Sequence, residues 1–206
     1  MALVVLYFHK LNPFSPKKTK KQKLLTWQMW IKVAIASVPA AIVGLLFNDI
    51  LDKIFYKPFP VAVMLIVYGV LFIVIENRNA GRRPSVNKIA DLSMSMLLWI
   101  GFFQMLALIP GTSRSGATIV GALIIGVSRE IAAEFTFFLA IPVMFGASLL
   151  KLIKFGFAFT AGEFGYLMLG CVVSFAVSIF AIKFLMSYIK KNDFKVFGYY
   201  LSLIHI

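Results

Sequence analysis

The fold is decided by residues 92–127, where an apolar stretch is interrupted. The apolar run Leu92–Ile109 is followed by Pro110-Gly111-Thr112-Ser113-Arg114-Ser115-Gly116, and Ala117–Val127 is apolar again. Proline removes a backbone donor and restricts the residue before it, while glycine permits dihedral angles that other residues avoid, so the two together end a helix. The pattern therefore predicts two helical pieces joined by a loop.

Longer apolar runs on both sides of this break are long enough to cross a bilayer, which takes about 20 apolar residues. The 206 residues are 61% hydrophobic and 14% charged, against about 25% charged in soluble domains. We therefore predict an all-α integral membrane protein. It is a multi-span helical bundle, forming a single membrane domain over residues 1–206, with spans at about 27–47, 58–75, 131–153 and 164–189 and a re-entrant helix–loop–helix hairpin at about 92–127.

The net charge of +13 comes from basic residues clustered between the apolar runs, within 17–23, 78–88 and 190–195. Such clusters are typical of loops beside anionic lipid, so membrane lipids are expected partners and nucleic acid is not. The single cysteine, Cys171, excludes an intramolecular disulfide and a cysteine metal cluster.

Loop charge also predicts how the hairpin lies in the membrane. If the hairpin returns to its own side, most of the basic loop residues share one face, which is then cytoplasmic. A single crossing would divide them less unequally. The first arm, 92–109, would be about 27 Å long at 1.5 Å per residue, which would bring the Pro-Gly loop near the outer side.

Arg114 is the most informative residue in the loop. An arginine at membrane depth costs roughly 2.5–3.5 kcal/mol on insertion scales and persists only with a partner. The surrounding hydroxyls and the free N–H groups of the next helix form an anion site, and a guanidinium can grip two phosphate oxygens. The alternative is that Arg114 pairs with Glu130 or Glu134 and that the hydroxyls only cap a broken helix.

Residues 110–118 resemble the P-G-x-S-R-S-G-x-T signature of the undecaprenyl-diphosphate phosphatases of the bacitracin-resistance type. The resemblance extends over about residues 1–200. It includes Ile35–Phe47, which is similar to the family's I-P-A-x-x-x-G-x-x-F segment, together with Phe103-Gln104, Ala107-Leu108, Gly126–Arg129, Ala133–Phe135 and Ala140–Pro142.

The resemblance implies hydrolysis of undecaprenyl diphosphate to undecaprenyl phosphate and inorganic phosphate in the bacterial plasma membrane, which recycles the lipid carrier for cell-wall synthesis. It implies a polyprenyl diphosphate lipid as substrate and a divalent cation, Mg²⁺ or Ca²⁺, as cofactor, and a homodimer is a further partner to test. Carried over by position, the candidate catalytic residues are Arg114 and Ser113, and the candidate substrate-binding residues are Gly111, Thr112, Ser115, Gly116 and Thr118.

One departure concerns the other half of the site. The family's earlier hairpin carries an E-x-x-x-E type motif and a Ser-Ser…His stretch, which supply metal-binding carboxylates and the candidate nucleophile or base. Here Glu130-x-x-x-Glu134 has the spacing but follows the phosphate motif, so the metal ligands and the nucleophile stay unassigned. We expect the chain to be a fragment truncated at both ends and inactive by itself, with 201–206 resembling translated adapter sequence.

Two other function classes fit the same loop. A transporter or flippase could bind an anionic lipid or phosphate at a broken helix without hydrolysing it. A purely structural membrane subunit is the third class, and the arginine with its hydroxyls argues against that assignment. Only the family resemblance separates hydrolysis from transport at this level.

Overall fold

The structure, a computed structural model, describes residues 2–16, 18–55, 57–155, 161–191, 194–195 and 199. Within those residues it contains helices and no strand, so the all-α prediction is confirmed. The α-helices are α1 (Ala2–Leu6), α2 (Phe8–Leu11), α3 (Lys20–Phe55), α4 (Pro58–Asn79), α5 (Met94–Leu106), α6 (Arg114–Ile124), α7 (Arg129–Phe155) and α8 (Ala161–Lys191), and a short 3-10 helix covers Ile89–Asp91.

Four helices are long and apolar enough to cross a membrane: α3 over Lys20–Phe47, α4 over Pro58–Asn79, α7 over Arg129–Leu149 and α8 over Gly162–Ile189. The prediction of a multi-pass integral membrane protein is therefore confirmed. The helices α5 and α6 have 13 and 11 residues. At about 20 and 16 Å they are shorter than the roughly 30 Å hydrocarbon layer.

The first arm of the hairpin ends earlier than the apolar run does. Helix α5 stops at Leu106, and the N–H groups of residues 107–109 bond to the carbonyls three residues back, at 3.0 to 3.1 Å. This tightening has a local cause, since the residue before a proline disfavours the α conformation and Pro110 follows directly. The loop between α5 and α6 is therefore 107–113.

Helix α6 is the central element of the bundle. Every residue from Gly116 to Leu123 is buried, and the helix contacts α4, α5 and α7. The two hairpin arms, α5 and α6, approach closely at Gly121, where a Cβ atom would lie 2.5 Å from the Phe103 ring. An apolar helix enclosed on all sides belongs to the interior of a bundle and is not a lipid-facing span.

A short backbone pairing fixes the far end of α6 against the segment after α4. The N–H of Ser85 donates to the Gly126 carbonyl at 2.9 Å, and the N–H of Ser128 donates to the Val86 carbonyl at 2.9 Å. Because this pairing holds the C-terminal end of α6, the N-terminal end with Arg114 is presented at the opposite end of the helix. Most of the terminal apolar run 194–206, including 201–206, lies outside the described residues.

Candidate active site

Arg114 is the first residue of α6 and is half-buried. Its guanidinium makes no hydrogen bond or ion pair with the residues that the structure describes. A half-buried cation in this position is costly unless an anion accompanies it. The loop therefore holds an uncompensated positive charge at the start of a buried helix.

Two serine hydroxyls lie beside that charge. Ser113 is the N-cap of α6, and its Oγ accepts a hydrogen bond from the Gly116 N–H at 3.2 Å. The Ser115 Oγ lies 3.3 Å from the Ser113 Oγ, and the Ser115 residue is exposed. One of the two hydroxyls donates to the other, and the hydroxyl that accepts keeps its own proton for an oxygen of an anion.

The backbone of the first turn adds further donors. The N–H of Gly116 is bonded to Ser113 Oγ and that of Ala117 to the Ser113 carbonyl. No described residue accepts from the N–H groups of Arg114 or Ser115, which are among the four donors that a helix leaves open at its start. Together with the helix dipole, they favour an anion at this end of α6.

Gly111 in the loop and Gly116 in the first turn of α6 are required by close packing. Gly111 has a backbone φ angle of +90°, which favours glycine, and a Cβ atom there would lie 2.6 Å from the Val61 carbonyl oxygen of α4. A Cβ atom on Gly116 would lie 3.1 Å from the Ser113 Cβ and 3.3 Å from the Phe72 ring. The loop therefore sits directly against α4, and side chains at these two positions would displace it.

The two threonines predicted to bind substrate are both buried. Thr118 is fully buried, and its hydroxyl donates to the carbonyls of Arg114 at 2.9 Å and Ser115 at 3.1 Å. The Thr112 hydroxyl, in contrast, has no partner among the described residues. Thr118 thus braces the first turn of α6 through its backbone, and Thr112 offers an unused polar group inside the loop.

One of the two alternative partners of Arg114, Glu134, is bonded elsewhere. The Glu134 carboxylate on α7 accepts from the Lys10 ammonium at 2.6 Å and is almost fully buried. The pKa of the nearby Tyr7 phenol is raised by burial and, further, by the charges of Glu134 and Glu130. Glu134 therefore belongs to a cluster with α1 and α2, and Arg114 is left without that carboxylate.

Sequence reasoning did not identify one buried ion pair. Glu76, in the last turns of α4, is 1% exposed and accepts from the Nε of Arg129 at 2.9 and 3.0 Å, from a second guanidinium nitrogen, and from the Phe194 N–H at 3.2 Å. The signal was present, because a carboxylate at the end of an apolar helix needs a partner. The pair joins α4 to the start of α7.

Gln104 is part of the family resemblance, but no role is predicted for it from the sequence. It lies on the last turns of α5, is 3% exposed, and neither its amide nitrogen nor its amide oxygen has a partner among the described residues. Buried amides are nearly always hydrogen-bonded. The Gln104 amide is therefore an unused polar group on α5, the helix that leads into the loop 107–113.

The described residues do not form a divalent metal site. No group of three or more histidine, cysteine, aspartate or glutamate side chains occurs among them. The loop itself contains no carboxylate, and Glu76 and Glu134 are held by basic side chains. Magnesium and calcium prefer carboxylate and carbonyl oxygens, so this donor set does not fit either ion by itself.

Comparison with known proteins places this arrangement in a family. The family model described as "Bacitracin resistance protein BacA" matches residues 1–206. An undecaprenyl-diphosphatase of Acetivibrio thermocellus is 62% identical over 200 residues, covering 97% of this chain and 74% of the relative.

Two further undecaprenyl-diphosphatases agree with that match. The protein of Enterococcus faecalis is 59% identical over 203 residues, covering 97% of this chain and 73% of the relative. That of Desulfitobacterium hafniense is 57% identical over 201 residues, covering 97% of this chain and 72% of the relative. The chain belongs to the BacA family of bacitracin resistance proteins.

Proposed function

We infer that the protein is an undecaprenyl-diphosphate phosphatase, a hydrolase embedded in the bacterial plasma membrane by several spans. It hydrolyses undecaprenyl diphosphate to undecaprenyl phosphate and inorganic phosphate. In this reaction water adds to the terminal phosphorus, and the bond from that phosphorus to the bridging oxygen breaks. The observation that carries the inference is the whole-chain family match, together with an unpaired arginine at the start of a buried helix.

The proposed role of Arg114 is to bind the diphosphate and neutralise charge as the bridging bond breaks. Phosphoryl transfer depends mainly on positioning and electrostatic stabilisation, and a guanidinium offers two parallel donors to phosphate oxygens. The free N–H groups of Arg114 and Ser115 point along the axis of α6 toward the same anion. A lipid substrate also explains why such a cradle lies within a membrane bundle.

The proposed roles of the two serines differ with their bonding. Ser113 is proposed as a catalytic residue, because its Oγ is held by the Gly116 N–H at 3.2 Å and keeps its proton for a phosphate oxygen. Ser115 is exposed and is proposed to bind a second oxygen. Neither is assigned as the nucleophile.

The remaining loop residues are proposed to shape the cradle. Gly111 and Gly116 allow the loop to lie against α4, and Thr112 supplies a buried hydroxyl. The Thr118 hydroxyl holds the carbonyls of Arg114 and Ser115. Through those carbonyls Thr118 fixes the orientation of the residues that meet the substrate.

A divalent cation, Mg²⁺ or Ca²⁺, is also proposed, on the family resemblance alone. The donor set of the described residues does not fit such an ion, so no step above is routed through it. Dialysis of the intact protein against a chelator, followed by addition of each ion, would test the requirement. Phosphate release that is unchanged by the chelator would contradict it.

A homodimer is a further proposal. Helix α8 exposes apolar residues along its whole membrane-spanning part, including Cys171. If two copies pair through α8, mild oxidation in membranes will link them through Cys171, and Cys171→Ser will abolish the link. A monomer under oxidation in dilute and concentrated membranes alike would contradict dimerisation through this face.

The function is tested by phosphate release from undecaprenyl diphosphate by the purified intact protein. Arg114→Ala is expected to abolish turnover, while Arg82→Ala, which removes an exposed arginine outside the loop, is the matched control. Substrate binding without phosphate release by the unmodified protein would overturn hydrolysis and favour transport.

A further inference from the structure

A positively charged cavity lies at the end of the hairpin opposite to Arg114. It has a volume of about 600 Å³ and opens between α2, the first half of α3, residues 87–90 and α7. Four lysines line it, and among the described residues Glu134 is the one carboxylate in its lining: Lys10, Lys18, Lys32 and Lys88 are the lysines. Side chains brought together from segments distant in sequence make a concave basic surface.

Two of the ammonium groups are held in place by the backbone. Lys32 Nζ donates to the carbonyls of Ile89 at 3.1 Å, Ala90 at 2.5 Å and Leu92 at 2.7 Å. Lys18 Nζ donates to the Lys10 carbonyl at 3.1 Å and to the hydroxyl of Thr26 at 2.8 Å. Hydrogen bonds to neutral groups fix the position of a charge and leave the charge itself uncompensated.

The carboxylates nearby do not balance the lysines. Glu134 is paired with Lys10 at 2.6 Å, and the charge of Asp91 acts on Lys32. Lys18 and Lys88 remain without a carboxylate partner among the described residues. Burial lowers the pKa of Lys18, which is the direction expected of an ammonium that lacks a counter-charge.

One wall of the cavity is apolar. Met29 and Phe138 are both buried in the core and line the cavity, together with Leu25 and Ile131. A site with fixed cations on one side and apolar side chains on the other suits an anion attached to a hydrophobic group. A phosphate on a lipid headgroup has that character, and a free phosphate shares the charged half of it.

The cavity is separate from the Arg114 loop. Residues 87–90 come before α5, and the loop 107–113 comes after it. The 13 residues of α5 place the two ends about 20 Å apart. The loop-charge pattern also predicts that the cavity faces the cytoplasm, whereas the Arg114 loop is predicted to lie toward the outer side.

We propose that the lysine cavity between α2, α3 and α7 is a second anion site, which binds a phosphate group carried by an anionic membrane lipid or present as free phosphate. It goes beyond the proposed phosphatase function, because none of residues 110–118 lines it. Binding at this site places a lipid headgroup or phosphate against α7, beside Ile131, Glu134 and Phe138.

Binding to the purified full chain in detergent tests the proposal. Lys88→Glu is the main variant. The Lys88 side chain makes no hydrogen bond or ion pair with the described residues, so reversing its charge removes no such contact. Lys21→Glu is the matched control, since Lys21 is an exposed lysine of the same region that does not line the cavity. Lys18→Gln is a second cavity variant.

Two probes distinguish the sources. Retention of phosphatidylglycerol, measured by native mass spectrometry with phosphatidylcholine as reference lipid, tests the headgroup, and calorimetric titration with inorganic phosphate tests the free anion. We expect Lys88→Glu and Lys18→Gln to weaken at least one probe about fivefold or more, while Lys21→Glu changes it less than about twofold. Loss limited to phosphatidylglycerol identifies a lipid, and loss limited to phosphate identifies the free ion.

Equal weakening by Lys88→Glu and Lys21→Glu would overturn the proposal, because it would reflect general surface charge. Absence of binding by both probes would also overturn it. The same variants are also compared in an Arg114→Ala background, which removes the proposed anion site of the hairpin, and Lys88→Glu is expected to weaken binding there as well, so the outcome is independent of the phosphatase reaction. Circular dichroism of each variant checks that the helices are retained.

Discussion

The Lys10 ammonium lies 2.6 Å from the Glu134 Oε1, and this contact connects α2 to α7 across 124 positions of sequence. Glu134 is nearly buried, while Lys10 reaches it from an exposed position. A carboxylate already bonded in this way does not neutralise Arg114. The positive charge of the hairpin loop is therefore available to a ligand.

This contact predicts a specific energetic coupling. Lys10→Ala and Glu134→Ala should each lower the thermal stability of the protein, and the double variant should lose less than the sum of the two. For a pair with one exposed partner, a coupling of roughly 0.2–1 kcal/mol is expected. Thermal unfolding of the four proteins in one detergent measures it, and strictly additive losses would show that the contact contributes nothing.

The buried pair of Glu76 and Arg129 should be far more sensitive. Glu76→Gln removes the charge that Arg129 and the Phe194 N–H both approach. The Arg129 side chain is 39% exposed, and a hydrogen bond to a charged group contributes about 1.5–3 kcal/mol. We expect a severe loss of folded yield in size-exclusion chromatography. Arg78→Gln, at an exposed side chain of the same helix, is the control, and equal yields for the two variants would contradict the assignment.

Gly111→Ala should disturb the loop, whereas Gly165→Ala should not. At φ +90 and with the Val61 carbonyl oxygen 2.6 Å from the added Cβ, alanine at position 111 is both strained and overpacked, a loss of about 1–3 kcal/mol. A Cβ on Gly165 meets nothing within 4 Å. Phosphate release and unfolding temperature should both fall for the first variant only.

Alkaline pH should weaken the fold in part through Tyr7. Its pKa is raised by burial first and then by Glu134 and Glu130, so above pH 10 the phenol ionises more readily in the unfolded chain than in the folded one. The contribution of neutral Tyr7 to the free energy of unfolding is therefore complete below pH 10. It is lost as the pH rises toward the pKa of Tyr7 in the folded protein. Tyr7→Phe should flatten the fall in unfolding temperature between pH 9 and pH 11.

Tyr166→Phe is the control for the Tyr7→Phe measurement, because Tyr166 is 79% exposed and its phenol is not buried in the folded protein. A pH profile for Tyr166→Phe that flattens as much as that of Tyr7→Phe would assign the alkaline sensitivity to tyrosines in general.

The parts of the fold that depend on local chemistry were readable from the sequence. The long apolar runs predicted helices, and Pro110-Gly111 predicted the break between α5 and α6, because hydropathy and backbone restriction act within a few residues. Helix ends were less accurate. Helix α5 stops at Leu106, since the last turn before the proline tightens, and α3 continues past its apolar run in both directions.

The contacts that decide the site were not readable. Nothing local in the sequence indicates that Glu134 bonds to Lys10 or that Glu76 bonds to Arg129. Each of these two contacts depends on how α2, α4 and α7 pack together. Sequence reasoning therefore identified Arg114 as the centre of an anion site but left its pairing with Glu130 or Glu134 as an open alternative.

Phosphate release by Arg114 variants of the intact protein tests most directly whether this arginine binds the diphosphate. Lysine keeps the charge but replaces a two-pronged donor with a point donor. Removing one preorganised contact typically costs about 2.7–4 kcal/mol of barrier, roughly a hundredfold to a thousandfold in rate. Ser115→Ala should be milder, because the Ser113 hydroxyl and the N–H groups of α6 remain.

We predict that Arg114→Lys and Arg114→Ala are recovered from detergent in normal yield and lose turnover, with alanine the worse of the two. The account would be contradicted if Arg114→Ala lost folded yield and the double change Arg114→Ala with Glu134→Ala restored it. Arg114 would then be a structural partner of Glu134, and the diphosphate would be left without its cation.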